Sequence, residues 1–130
     1  MKLLGSQHVL ELHEYVLIRD GGLPGIRLGM SVDAVLSRIE NNLRFEFDPN
    51  VTNAAALFAY TFCVGYIFND ANKRTAYAGA LVTLEVNGIK TDKLNQPELE
   101  ELVIAADRGD MKIEKFVTAF RELMINESHN

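Results

Sequence analysis

The chain has 130 residues, 48% of them apolar and 24% charged, with a formal net charge of −5 at pH 7. That length fits one domain around one core. The acidic balance argues against bulk nucleic-acid binding, which needs a basic surface to neutralise phosphates, but it leaves room for a small anion in one local basic pocket.

The opening stretch, "MKLLGSQHVLELHEY", is too short in apolar residues for a signal peptide and has no small-residue cleavage site. Ser6 is placed to cap a first helix, in which Val9, Leu10, Leu12, Val16 and Leu17 follow a 3–4 spacing. "DGGLPG" at 20–25 ends it as a loop punctuated by glycines and a proline. Ser31 starts a second pattern, with Val32, Val35, Leu36, Ile39 and Leu43 on one side, and Asp48-Pro49 breaks it. Thr52 or Asn53 then caps a third helix, "AAALFAYTFCVGYIF", apolar on nearly every face. In a soluble protein such a helix is the buried central one. Its apolar run, Ala54 to Phe68, falls short of the ~18–20 residues a bilayer requires, so a cytoplasmic protein with no membrane contact is expected.

Cys63, the only cysteine, lies in that helix and reads as a buried, inert thiol, so a disulfide framework and a cysteine-rich zinc cluster are excluded within one chain. A fourth helix starts near Asn72 and stops at Asn87-Gly88. "IKTDKLN" is a loop with room for a short extended piece. Pro97 opens a fifth helix with acids in its first turn, and Gly109 ends it. A last amphipathic helix presents Ile113, Phe116, Val117, Phe120, Leu123 and Met124 on one side, before a frayed tail "NESHN". The expected fold is all-α: one domain over residues 1–126, about six helices around a central apolar one, and a flexible tail at 127–130. The alternative is a small hairpin near 88–95.

The chemistry concentrates in "GYIFNDANKRTAY", residues 65–77. A helix beginning near Asn72 presents unpartnered backbone N–H groups and the positive end of its dipole, which is an anion site. Lys73 and Arg74 add positive side chains. Asp70 can hold Mg²⁺, which takes one or two carboxylates together with phosphate oxygens. Asn72 can donate from its amide and shape the turn. A nucleoside triphosphate suits this combination. The ordinary explanation is a capping residue followed by solvated charges, although two cations in a first turn oppose the helix dipole.

"YIFNDANKR" resembles the motif of the Fic/Doc family, His-x-Phe-x-(Asp/Glu)-(Ala/Gly)-Asn-(Gly/Lys)-Arg. Lys73 and "GGLPG" near residue 22 are similar to the Doc branch, the toxins of toxin–antitoxin modules, and the likeness covers most of residues 20–90. The resemblance implies a Fic fold, ATP and Mg²⁺ as cofactors, and a kinase that phosphorylates a threonine of elongation factor Tu and so blocks translation. Asp70 would bind Mg²⁺, Asn72, Lys73 and Arg74 would hold the phosphates, and Phe68 would anchor the turn. Fic relatives that transfer AMP usually have Gly at the Lys73 position and a second Arg where this chain has Tyr77. A Phd-like antitoxin would neutralise the toxin by laying a C-terminal segment into an apolar groove.

One position departs from the motif. Tyr66 stands where the family has the His that acts as general base. An unperturbed tyrosine, with a pKa of ~10, is about one part in a thousand phenolate at pH 7, and losing a general base costs roughly 10²–10⁴-fold. An inactive or strongly impaired enzyme is therefore expected, through natural decay or deliberate change of one codon base. His8, His13 and His129 read as surface or boundary histidines. "TAFREL" at 118–123 is a poor copy of the family's inhibitory (Ser/Thr)-x-x-x-Glu-(Gly/Asn) pattern, so inhibition in cis is not expected. The competing readings are a catalytically dead antitoxin-binding module or co-repressor, and a Fic-type AMP transferase.

Overall fold

The computed structural model describes residues 1–128. Six helices follow in order: α1 Ser6–Asp20, α2 Val32–Phe45, α3 Val51–Gly65, α4 Asn72–Val86, α5 Gln96–Asp107 and α6 Ile113–Ser128. The chain is all-α as expected. Among the described residues the only β pairing is one antiparallel bridge, Ile26 to Phe68, and residues 88–95 form turns rather than a hairpin.

α3 is the centre. It packs against α2, α4, α5 and α6, while α1 closes the bundle over α2 and α4. Its all-round apolar sequence has this cause: residues 53–59 are buried without a break, as are Thr61, Phe62 and Cys63. Three successive alanines, Ala54 to Ala56, are among them. On α4 a close approach falls at Gly79, where an added Cβ would lie 1.9 Å from the Phe58 ring. α6 contributes Phe116, Val117 and Phe120, all essentially buried. Burial pushes the Cys63 thiol up to about 12, so it is a protonated, unreactive core group.

Several helix boundaries differ from the sequence expectation. α1 is capped by Gly5, not Ser6; Ser6 is its first helical residue and its hydroxyl donates to Asp33 of α2. Val9 and Val16 of its expected face are buried, but Leu10 points outward and His13 takes the inward position. α3 is capped by Asn50, whose side chain accepts from Asn53 N at 2.8 Å, rather than by Thr52 or Asn53. α3 therefore begins immediately after the Asp48-Pro49 break. Ser31 caps α2 as expected, accepting from Ala34 N at 3.2 Å. Asn95 caps α5, leaving Pro97 in its first turn. α6 continues through Ser128, so Glu127 and Ser128 of the expected tail are helical; His129 and Asn130 lie outside the described residues. No described helix is long and apolar enough to cross a membrane.

Candidate active site at the start of α4

The segment between α3 and α4 is held by two residues in the left-handed region, Tyr66 (φ 49°) and Ala71 (φ 63°). Neither is glycine, so each stores about 1–2 kcal/mol of backbone strain that the surroundings must offset. Between them Ile67 and Phe68 are buried, and Phe68 forms the bridge to Ile26. The loop after α1 runs alongside: Arg27 N donates to Ile67 O at 2.7 Å, and Asn69 N donates to Gly25 O at 3.0 Å. Gly25 is required by this approach, because its φ is +100° and a Cβ would sit 2.9 Å from Asn69 Nδ2. Arg27 also donates from its guanidinium to the Tyr66 carbonyl at 3.0 Å.

Phe68 is buried within the turn, 1% exposed. Its ring stacks on His13 with centroids 3.7 Å apart and planes 9° apart. His13 Nε2 lies 2.9 Å from the Asp70 carbonyl oxygen. A carbonyl only accepts, so Nε2 carries the proton. The expectation of a boundary histidine is therefore corrected: His13 is buried and supports the turn from below. His8 stays exposed on α1, where its Nδ1 accepts from Gly5 N.

Asp70 carries the first acid of the site. Its Oδ1 accepts from Ala71 N at 2.8 Å and its Oδ2 from Leu23 N at 3.2 Å. These backbone bonds, Ala71 first, hold its carboxyl below the usual carboxylate range, with Arg74 and His13 adding to the effect. Gly22 must be glycine, since a Cβ there would meet Asp70 Oδ2 at 2.9 Å.

α2, α3 and α5 are each closed by a side chain at the N-cap, but α4 has none. Asn72 turns backward instead. Its Oδ1 accepts from Phe68 N at 3.1 Å and its Nδ2 donates to Phe68 O at 3.0 Å. Its amide shapes the turn, so what it offers outward is its backbone. Lys73 and Arg74 splay to opposite sides. Lys73 Nζ lies 3.4 Å from Asp107 Oδ2 at the end of α5. Arg74 Nη1 lies 3.3 Å from Asp20 Oδ2, and its Nη2 donates to Gly21 O at 3.4 Å.

Tyr66 reaches the same α5 terminus. Its hydroxyl donates to Asp107 Oδ1 and approaches the Asp107 carbonyl at 3.3 Å. The bond to Asp107 pushes the phenol above its ordinary value, with desolvation adding to it, so Tyr66 keeps its proton. Tyr66, Asp70, Asn72, Lys73, Arg74 and Asp107 line one cavity of about 370 Å³. Past Lys73 and Arg74 a second cleft of about 450 Å³ continues between α1 and α5, walled by Tyr77, Val103 and Ile104. Both volumes fall in the range of ligand pockets.

The motif residues expected from the sequence thus come together. Sequence reasoning missed His13, Asp20 and Asp107 as site residues, and it picked out the "GGLPG" loop without its pairing to the turn. His13 had a signal, since it shares the 3–4 spacing of Val9 and Val16. Asp107 had none, because its partners lie far off along the chain. Glu122 of "TAFREL" rides on α6, which makes no contact with α4.

A match to the Fic/DOC family spans residues 3–84, most of α1 to α4 and the whole of the turn. The chain belongs to the Fic/Doc family. Among its Fic/Doc relatives is Protein kinase doc of Escherichia phage P1, 30% identical over 123 residues, covering 95% of this chain and 96% of that protein. The cavity-lining residues of the turn and the start of α4, Tyr66 to Arg74, lie within the matched span.

Proposed function

We propose that the chain is a Doc-type phosphotransferase, a toxin that moves the γ-phosphoryl group of ATP to a threonine of elongation factor Tu. The observation that carries this reading is the α4 N-terminus: uncapped, flanked by Lys73 and Arg74, and opening on the same cavity as Asp70. Phosphoryl transfer depends mainly on positioning and charge stabilisation, and these groups offer both. Asp70 fits Mg²⁺ because it is an ionised hard oxygen donor facing the cavity. Among the described residues no three His, Cys, Asp or Glu side chains converge on a metal, so the remaining ligands would be phosphate oxygens and water, the usual arrangement for Mg²⁺. When bound, the ion offsets charge on the transferring phosphoryl oxygens. The α4 backbone N–H groups, including that of Asn72, bind the phosphates, and Lys73 and Arg74 neutralise them from either side. Each cation exchanges an intramolecular carboxylate, Asp107 or Asp20, for phosphate. The apolar wall of the second cleft suits the nucleoside.

Tyr66, protonated at neutral pH, cannot act as a free base, and transfer is slower than with histidine in its place. A Phd-like antitoxin, through a C-terminal segment, is the partner that would keep the toxin silent. Two kinds of labelled ATP test the reaction. Label from the γ position appearing on elongation factor Tu, and none from the α position, is the kinase result. Label from the α position would make the chain an AMP transferase. Label from neither, in this chain and in Tyr66→His, would leave a binding module or co-repressor.

A further inference from the structure

The tyrosine does not stand alone in the family's base position. Its backbone is fixed in the left-handed region and pinned by Arg27, and its hydroxyl ends on the Asp107 carboxylate. The other oxygen of that carboxylate faces Lys73 Nζ at 3.4 Å. Asp107 is the last residue of α5, where the dipole disfavours an anion. Helix stability therefore gives no reason for an aspartate there, whereas the two partners across the cavity do. The Asp107 side chain is 17% exposed, so it is largely shielded from water, while Tyr66 remains 40% exposed and reachable from the cavity.

From this juxtaposition we infer that Tyr66 and Asp107 form a proton relay that replaces the missing imidazole, with Asp107 as the final proton acceptor. The inference rests on the phosphotransferase reading above. A hydroxyl that donates its own proton to a carboxylate still has lone pairs for an incoming hydroxyl. As the target oxygen bonds to the γ-phosphorus, its proton passes to Tyr66 Oη and the Tyr66 proton passes to Asp107 Oδ1. The bond from the γ-phosphorus to the bridging oxygen breaks, and the nucleoside diphosphate leaves with that electron pair. Tyr66 ends neutral and Asp107 ends protonated, and the carboxylic acid returns its proton to solvent after product release. Protein kinases use an aspartate for the same task, directly rather than through a phenol. The raised phenol fits the role, because Tyr66 must hold a proton to hand on.

The alternative role for Asp107 is to hold Lys73 in place. A cycle of variants separates the two: the chain as it is, Tyr66→Phe, Asp107→Asn, Tyr66→His, and Tyr66→His with Asp107→Asn. Each is assayed for γ-phosphoryl transfer to elongation factor Tu, with ATP binding measured separately. The relay requires that Tyr66→Phe and Asp107→Asn each lower kcat by roughly 10²–10⁴-fold, with ATP affinity changed less than about threefold. It also requires that the Asp107→Asn loss shrink at least tenfold once histidine, which takes the proton itself, occupies position 66. An equal Asp107→Asn loss in both backgrounds would assign Asp107 to Lys73 and overturn the relay. So would transfer by Tyr66→Phe at the unmodified rate. Transfer by Tyr66→His alone would overturn the relay and leave the phosphotransferase reading standing. No ATP binding and no transfer by any form would remove that reading, and the relay with it.

Discussion

His13 is the residue that changes most between sequence and structure. Its ring is both a plate under Phe68 and a donor to the Asp70 carbonyl. Replacing it by alanine removes the stack and leaves that carbonyl without its partner. We expect His13→Ala to cost about 2–4 kcal/mol, the usual sum of a buried cavity and a lost hydrogen bond, read from chemical denaturation. Asp70 gives a pH signature. Its folded-state value is lowered from 3.8, so its contribution to stability is present above that value and is lost as pH falls through the lower one. Thermal unfolding of Asp70→Asn should therefore differ most from the parent near neutrality and converge with it in acid, below the ordinary carboxylate range. At this scale the sequence disclosed the motif residues but not their partners. Asp70 and Lys73 could be picked out because they crowd one turn. Asp107 could not, because only the packing of α5 beside α4 brings it to them.

Among elements, the α3–α4 contact is the most exacting. Ala normally improves a helix over Gly by about 1 kcal/mol. At Gly79 the added methyl would overlap the Phe58 ring, and overpacking of this kind costs about 1–3 kcal/mol or more. Gly79→Ala should thus lower the melting temperature despite its better propensity, and Phe58→Leu in the same chain should recover part of the loss. Helix identity was legible in the sequence because each amphipathic helix repeats its apolar residues locally. Two features were not. The start of α3 moved to Val51 because Asn50 caps it, and several nearby residues, Thr52 and Asn53 included, could do the same task chemically. The pairing of the 21–27 loop with Ile67 to Asn69 rests on two backbone bonds, Arg27 N to Ile67 O and Asn69 N to Gly25 O, across some 40 residues, and a single bridge leaves no alternation to detect.

Over the whole molecule, α3 is shared by four neighbours, so the helices should unfold together in one cooperative transition. The candidate site sits at one end of this bundle, where the end of α3, the start of α4 and the C-termini of α1 and α5 meet. On the proposed reading, a nucleotide would bind there only to the folded chain and so would stabilise it. At a hundred times Kd the gain is about 2.7 kcal/mol, visible as a rise in melting temperature with ATP and Mg²⁺. Lys73→Ala combined with Arg74→Ala should abolish that rise, while the second cleft keeps its apolar wall. The central position of α3 was legible from its apolar sequence. The meeting of four helix ends was not, since it depends on how the elements pack.

The most direct measurement of the central claim is the rate of γ-phosphoryl transfer to elongation factor Tu by this chain and by Tyr66→His, with Mg²⁺ present and folding verified. The expected result is slow labelling by the chain and labelling faster by at least tenfold with histidine. Absence of label from both forms, with ATP shown to be bound, would contradict a phosphotransferase at the start of α4.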